Sequence, residues 1–173
     1  IAITGGKILP QWEDTSFLTL YLRKPSLLRE QYSLMDKGDA SFPVTKVIGC
    51  SLAIDRKKIA ALRFPEHLGR RDGMLLGGEE TSLCRMVAEK GYKVQYVGMA
   101  TVYHHIPAHR LRFRWMSRRM YDGGRTRWLS RKPSGENGTS YHVWDYLVLP
   151  FFTPQYLSGY FLERLRQKKN QDD

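Results

Sequence analysis

Apolar positions along the chain fall into short runs separated by turns that contain glycine, proline or clustered polar residues. Ile1-Ala2-Ile3-Thr4 is a β-rich run closing on Gly5-Gly6, a turn signal. Residues 8–40 show little regular patterning beyond a helical stretch at about 16–32, broken at Pro25, and a polar turn at Asp36-Lys37-Gly38-Asp39. Val47, Ile48, Cys50, Leu52, Ala53 and Ile54 predict a strand over 46–55 that is apolar on both faces, with Gly49 where a backbone or a ligand can come close. Arg56, Lys57 and Lys58 begin a short helix or turn that ends near Phe64-Pro65.

The pattern sharpens after the loop Gly69-Arg70-Arg71-Asp72-Gly73 and the run Leu75-Leu76-Gly77-Gly78. Glu79 opens a helix that runs to Lys90 and is stopped by Gly91, with Leu83, Met86 and Val87 as its buried stripe. Residues 93–97 and 100–104 read as two short strands parted at Gly98. A helix is predicted over 107–121, with Pro107 in its first turn and Leu111, Trp115, Met116 and Met120 near one face; Asp122-Gly123-Gly124 ends it. Residues 133–142 form a polar loop that marks a boundary. Beyond it, Trp144, Tyr146, Phe151, Phe152, Tyr156, Tyr160 and Phe161 crowd a stretch that Asp145, Pro150, Pro154 and Gln155 interrupt. That makes a poor membrane-spanning helix. Two readings stay open: an interfacial segment followed by the charged tail Arg164 to Lys169, or a pair of helices packed on the domain.

Composition narrows the choice. With 173 residues and 42% hydrophobic side chains the chain can bury a core, which excludes a disordered polyelectrolyte and a disulfide-stapled miniprotein. A net charge of +11 implies a polyanionic partner: nucleic acid, an anionic membrane surface or a phosphorylated small molecule. The excess is local, because residues 109–132 carry nine Lys and Arg against Asp122 alone. One concentrated block suggests a single surface or pocket and ranks nucleic acid below the other two. Cys50 and Cys84 lie in no CxxC or CxxH pattern, so neither a zinc site nor a disulfide framework is indicated and a reducing compartment is the simplest reading. The first residues have neither a basic n-region nor a long apolar segment, and the abrupt opening strand reads as a chain entered partway through.

Three elements carry candidate chemistry: Gly78-Glu79-Glu80 opening a helix that includes Leu83 and Arg85, Gly91-Tyr92-Lys93-Val94 leading into a strand, and Ala100-x-Val102-x-His104. A carboxylate in a helix's first turn sits at the positive end of the dipole, which suits a general base. A histidine at a strand end can bind a metal or a phosphate oxygen, and nearby arginines can neutralise a departing pyrophosphate. Together they describe displacement of a phosphorylated leaving group.

On these landmarks, with the Gly-Gly strand and Gly49-Cys50-Ser51-Leu52-Ala53-Ile54, the chain resembles the C-terminal half of a glycosyltransferase family 2 catalytic domain, from about residue 5 to 128. The resemblance implies an α/β fold: a partial GT-A-like mixed sheet with flanking helices, plus a C-terminal helical and aromatic extension. Residues 1–132 would be the acceptor-side half and 133–173 the extension, a candidate membrane-interfacial segment. It implies an inverting transfer of one sugar from a nucleotide-diphosphate sugar to a saccharide or lipid-linked acceptor hydroxyl. Glu80 matches the position of the family's base, with Glu79 beside it, although the family usually has Asp there. His104 matches the histidine that coordinates a divalent metal, Mg or Mn, or contacts the diphosphate, with His105 as its alternate. Arg118, Arg119 and Arg125, which flank Gly123-Gly124, are candidates for stabilising the leaving group.

The family's Asp-x-Asp motif is absent from this chain, so the resemblance implies a fragment without its donor half, inactive alone and open to self-association through an incomplete sheet. Arg127-Trp128 is similar to the end of the Gln-x-x-Arg-Trp signature of processive synthases, but Gly124 stands at the Gln position, which disfavours a polymerase. The expected setting is cell-envelope polysaccharide synthesis at the cytoplasmic face of a membrane. Rival readings are a basic nucleic-acid-binding module with Trp115, Tyr121 and Trp128 stacking on bases, and a noncatalytic membrane-docking domain.

Overall fold

The computed structural model describes residues 1–16, 23, 26–130 and 143–172. Its elements are β1 (Ile3–Trp12), α1 (Ser26–Gln31), β2 (Ser41–Val44), β3 (Leu52–Ile54), α2 (Glu79–Glu89), β4 (Val94–Ile106), α3 (Phe113–Leu129) and α4 (Val143–Asp172), with 3-10 turns at Gly49–Ser51 and Ala108–Leu111. The chain is mixed α/β and forms two compact units that interleave in sequence. The first comprises Ile1–Glu13, Tyr32–Glu66 and Gly78–Ile106; the second comprises Asp14–Gln31, His67–Gly77 and Pro107–Asp173. Of the helix expected at 16–32, Ser26–Gln31 is helical, while residues 17–22, 24 and 25 lie outside the described residues, as does the polar loop at 133–142.

The first unit is a four-stranded mixed sheet in the order β2-β4-β1-β3 with α2 packed on it. β1 runs parallel to β4, from Ile3 beside Val94 to Trp12 beside Ile106, and antiparallel to β3; β2 pairs antiparallel with β4. Gly5-Gly6 is no turn: β1 passes through it and continues to Trp12. The doublet answers to crowding, since a Cβ on Gly5 would lie 2.5 Å from Val47 Cβ and one on Gly6 would overlap the Ala100 carbonyl. The strands expected at 93–97 and 100–104 are one strand with a bulge. Val97 pairs with Gly6 and Thr101 with Lys7, so Gly98, Met99 and Ala100 are left out of the ladder. Gly98 packs under the 36–39 turn, which Tyr96 anchors from the core: its hydroxyl accepts from Lys37 N at 3.1 Å and donates to Gly38 O at 3.0 Å.

The stretch 46–55 is mostly not strand. Only Leu52–Ile54 pairs, because Gly49–Ser51 coils into a 3-10 turn, closed by Ser51 N on Ile48 O at 3.0 Å, whose Ser51 Oγ accepts the Gly6 N–H at 3.0 Å. Helix α2 forms as its sequence predicts. Gly78 precedes it with φ 89°, Gly91 follows with φ 79°, and both values favour glycine. Leu83, Cys84 and Val87 are fully buried against Ala2, Ile3, Val47, Ile59 and Val94. Each such Leu or Val is worth about 1.5–3 kcal/mol on burial, so this contact fixes where the head of α2 stands.

In the second unit the basic stretch starts helical later than the sequence suggests. Pro107 leads into the Ala108–Leu111 turn, and Arg112, extended at ψ 140°, precedes Phe113. The helix also runs on through Gly123-Gly124 to Leu129. These glycines do not cap; they admit α4. A Cβ on Gly124 would overlap the Tyr156 carbonyl, and one on Gly159 would overlap that of Tyr121. Residues 143–172 form one helix, with Pro150 and Pro154 inside it. Phe113 stacks on Phe152 at 5.0 Å, and Trp128 meets Tyr160 edge-on at 5.5 Å. Among the described residues no helix is long and apolar enough to cross a membrane.

Candidate functional site

The site in the first unit is built where the Gly49–Ser51 turn meets the head of α2. The Ser51 bond to Gly6 holds the turn on β1, and the turn then aims the Gly49 N–H at Glu80 Oε1, 3.4 Å away. A Cβ on Gly49 would stand 3.8 Å from that oxygen, so the carboxylate is the group that comes close to this glycine. Glu80 Oε2 is enclosed and has no hydrogen-bond partner among the described residues. An enclosed acceptor without a donor costs about 1–3 kcal/mol, and native proteins keep such groups mainly where they serve a reaction, a ligand or an ordered water. Glu79 and Glu80 are both half-buried first-turn residues, and adjacent positions on a helix diverge by about 100°. Glu80 is the one whose carboxylate accepts from the Gly49 turn at 3.4 Å.

His104 and His105 lie near the end of β4, paired with Pro10 and Gln11 of β1. His104 is half-buried and His105 exposed, as strand alternation requires. Among the described residues no three His, Cys, Asp or Glu side chains gather as a metal site. His104 belongs to no such cluster there. Asp55 caps a turn: its Oδ1 accepts from Lys57 N at 3.1 Å and its Oδ2 pairs with Lys58 at 3.1 Å. The Lys58 hydrogen bond holds the Asp55 carboxyl below its ordinary value. Arg85 stands 3.8 Å from Glu89, one turn on.

The three arginines belong to the second unit, where they fasten α3 to the segment 73–77. Arg118 Nη2 donates to Gly73 O at 2.8 Å, and Arg119 donates to Leu75 O. Asp122 Oδ2 accepts from Leu75 N at 2.8 Å, and Thr126 Oγ1 accepts from Gly77 N at 3.1 Å. Arg125 lies between two buried acids, with Nε on Glu163 at 2.8 Å and Nη1 on Asp122 at 3.2 Å. Burial works against its charge, but Glu163 and Asp122 outweigh burial and hold the guanidinium above its ordinary value. Of the three, Arg118 alone is exposed.

The aromatic rings of the basic block are also engaged. Arg110 lies 5.7 Å from the Trp115 ring centroid, and Arg164 is at the same distance over Trp128. The sequence marked Glu80, and it marked Gly49 as a point of close approach. It missed that the Gly49 N–H is the carboxylate's partner and that Ser51 fixes the turn. The adjacency of Gly49 and Ser51 in one short run was the available signal. The chain matches no family model, no curated protein and no solved structure.

Proposed function

We propose that this chain is the acceptor-side part of an inverting glycosyltransferase with a GT-A-like fold, using a nucleotide-diphosphate sugar, with Glu80 as the general base. The observation that carries the reading is the asymmetry of the Glu80 carboxylate: one oxygen fixed by the Gly49 N–H, the other enclosed without a partner among the described residues. Such a group has its orientation set in advance and lacks one donor, which an acceptor hydroxyl supplies. Because Oε2 is enclosed, the hydroxyl reaches it only as the atoms over it give way. Glu80 then takes the hydroxyl proton while the oxygen attacks the anomeric carbon. The bond from that carbon to the diphosphate oxygen breaks, and its electron pair leaves with the nucleoside diphosphate.

Support for the sugar-transfer reading is the ordered set of motifs, of which the Gly49–Ser51 turn and Glu80 meet in space. His104, in the same unit as Glu80, is the candidate for anionic groups of the substrate.

The test is a transfer assay on the natural protein with a panel of nucleotide-diphosphate sugars. Glu80→Gln should lower kcat about 10²–10⁴-fold while the donor KM changes little. Glu79→Gln should stay within a few-fold of the parent. Full turnover by Glu80→Gln, or no transfer from any donor by the parent, refutes the reading.

A further inference from the structure

Helix α4 buries Phe152, Gly159 and Glu163 on its inner side. On the outer side Phe151, Leu157, Phe161, Leu162 and Leu165 are 61, 45, 50, 52 and 62% exposed. At 3.6 residues per turn these five side chains and the exposed Pro154 fall within an arc of about 140°. Arg164 lies just beyond one border of the stripe and Arg166 just beyond the other, while Lys168 and Lys169 continue it towards the helix end; all four are exposed. Glu163 is the one acid among residues 150–169, and it is buried on Arg125. Over residues 150–165 the outer face is apolar except for the exposed Ser158, with an arginine at each border and Lys168 and Lys169 following, and it carries no exposed carboxylate.

A stripe of exposed Phe and Leu is uncommon on a face meant for water. Cationic borders with no acid fit a surface of lipid phosphates: apolar rings enter the acyl boundary, and Arg and Lys extend their stems back to the headgroups. A second copy docked through the same face would bring these cations towards their own counterparts. We propose that the outer face of α4 docks the protein in the plane of an anionic phospholipid bilayer, through its Phe and Leu stripe and the phosphate contacts of Arg164, Arg166, Lys168 and Lys169. The inference rests on different residues from the catalytic reading and stands or falls separately.

The experiment is flotation of the intact chain with phosphatidylcholine vesicles and with vesicles that also contain phosphatidylglycerol, alongside sedimentation of the free chain. Binding is expected to the mixed vesicles and to fall with salt. Phe161→Ser/Leu165→Ser, checked for an unchanged thermal melt, should lower partition at least about tenfold. Arg166→Gln and Lys169→Gln should each weaken it about fivefold, which gives a second readout if the apolar variant proves less stable. Absence of binding overturns the proposal. Undiminished binding by Phe161→Ser/Leu165→Ser also overturns it, assigning the attraction to charge alone. A concentration-dependent dimer abolished by the same pair of substitutions gives the face to a second copy and overturns it as well.

Discussion

Gly123 and Gly124 are neighbours in the middle of α3, yet alanine should act on them with opposite sign. At Gly123 an added methyl would meet the Tyr156 ring at 3.7 Å and Gln31 Oε1 at 3.9 Å, ordinary contact distances. The substitution then keeps the helix-propensity gain of about 1 kcal/mol. At Gly124 the same methyl would overlap the Tyr156 carbonyl and stand 2.8 Å from Tyr160 N and 2.9 Å from Tyr156 C. All three are backbone atoms of α4, so no side chain can swing aside and the helices must part. Overpacking of that kind costs about 3 kcal/mol, which leaves Gly124→Ala about 2 kcal/mol less stable than the parent after the propensity gain. The two variants should differ by about 3 kcal/mol, or roughly 6–12 °C in Tm for a chain of this length. Thermal and urea melts followed by far-UV circular dichroism measure this directly. If Gly124→Ala melts at or above Gly123→Ala, the helices do not cross on that glycine.

Two further outcomes follow from burial. Tyr32 is 1% exposed, and burial pushes its phenol well above its usual value. The unfolded phenol ionises near pH 10 while the folded one keeps its proton, so stability is unaffected below about pH 10 and falls as the pH rises beyond it. Tyr32→Phe should flatten the alkaline side of the Tm profile, and an unaltered slope would contradict the assignment. Cys84 is fully buried, and burial raises its thiol, whereas Cys50 is exposed. Iodoacetamide should modify one cysteine per native chain, at Cys50, and two in denaturant; equal native rates at both would show that α2 does not seal the core.

Helix α2 was legible because every local signal agrees there: glycines at both ends, acids in the first turn, and Leu83, Met86 and Val87 at helical spacing. The other glycines misled for a common reason. Gly5-Gly6 and Gly123-Gly124 look like turns in sequence, but each makes room for a backbone that comes from elsewhere in the chain: Ala100 in one case, Tyr156 in the other. Nothing local encodes that partner. The bulge at 98–100 is likewise a property of the β1–β4 register. At the candidate site Glu80 could be named from its motif, whereas its hydrogen bond to Gly49 depends on a turn within a run whose apolar residues on both faces suggest a strand. Of the basic block, the sequence supplied the charge but not its use. All three arginines are bound internally, Arg118 to Gly73, Arg119 to Leu75 and Arg125 to Glu163 and Asp122, and only the structure shows that Arg118 is the exposed one.

The interleaving of the two units has a consequence for how the molecule can be taken apart. The path passes from one unit to the other at residues 13–14, 31–32, 66–67, 77–78 and 106–107. No single truncation yields either unit cleanly: a piece ending at residue 106 holds every strand of the sheet but also the loaned segments 14–31 and 67–77, severed from the helices they belong with. While each unit is folded, it holds together the ends of the loops it lends to the other, so each lowers the entropy of closing the other's chain. Dissection by deletion would therefore measure a disconnected loop rather than a smaller protein, and point substitutions are the sounder way to assign work to each unit.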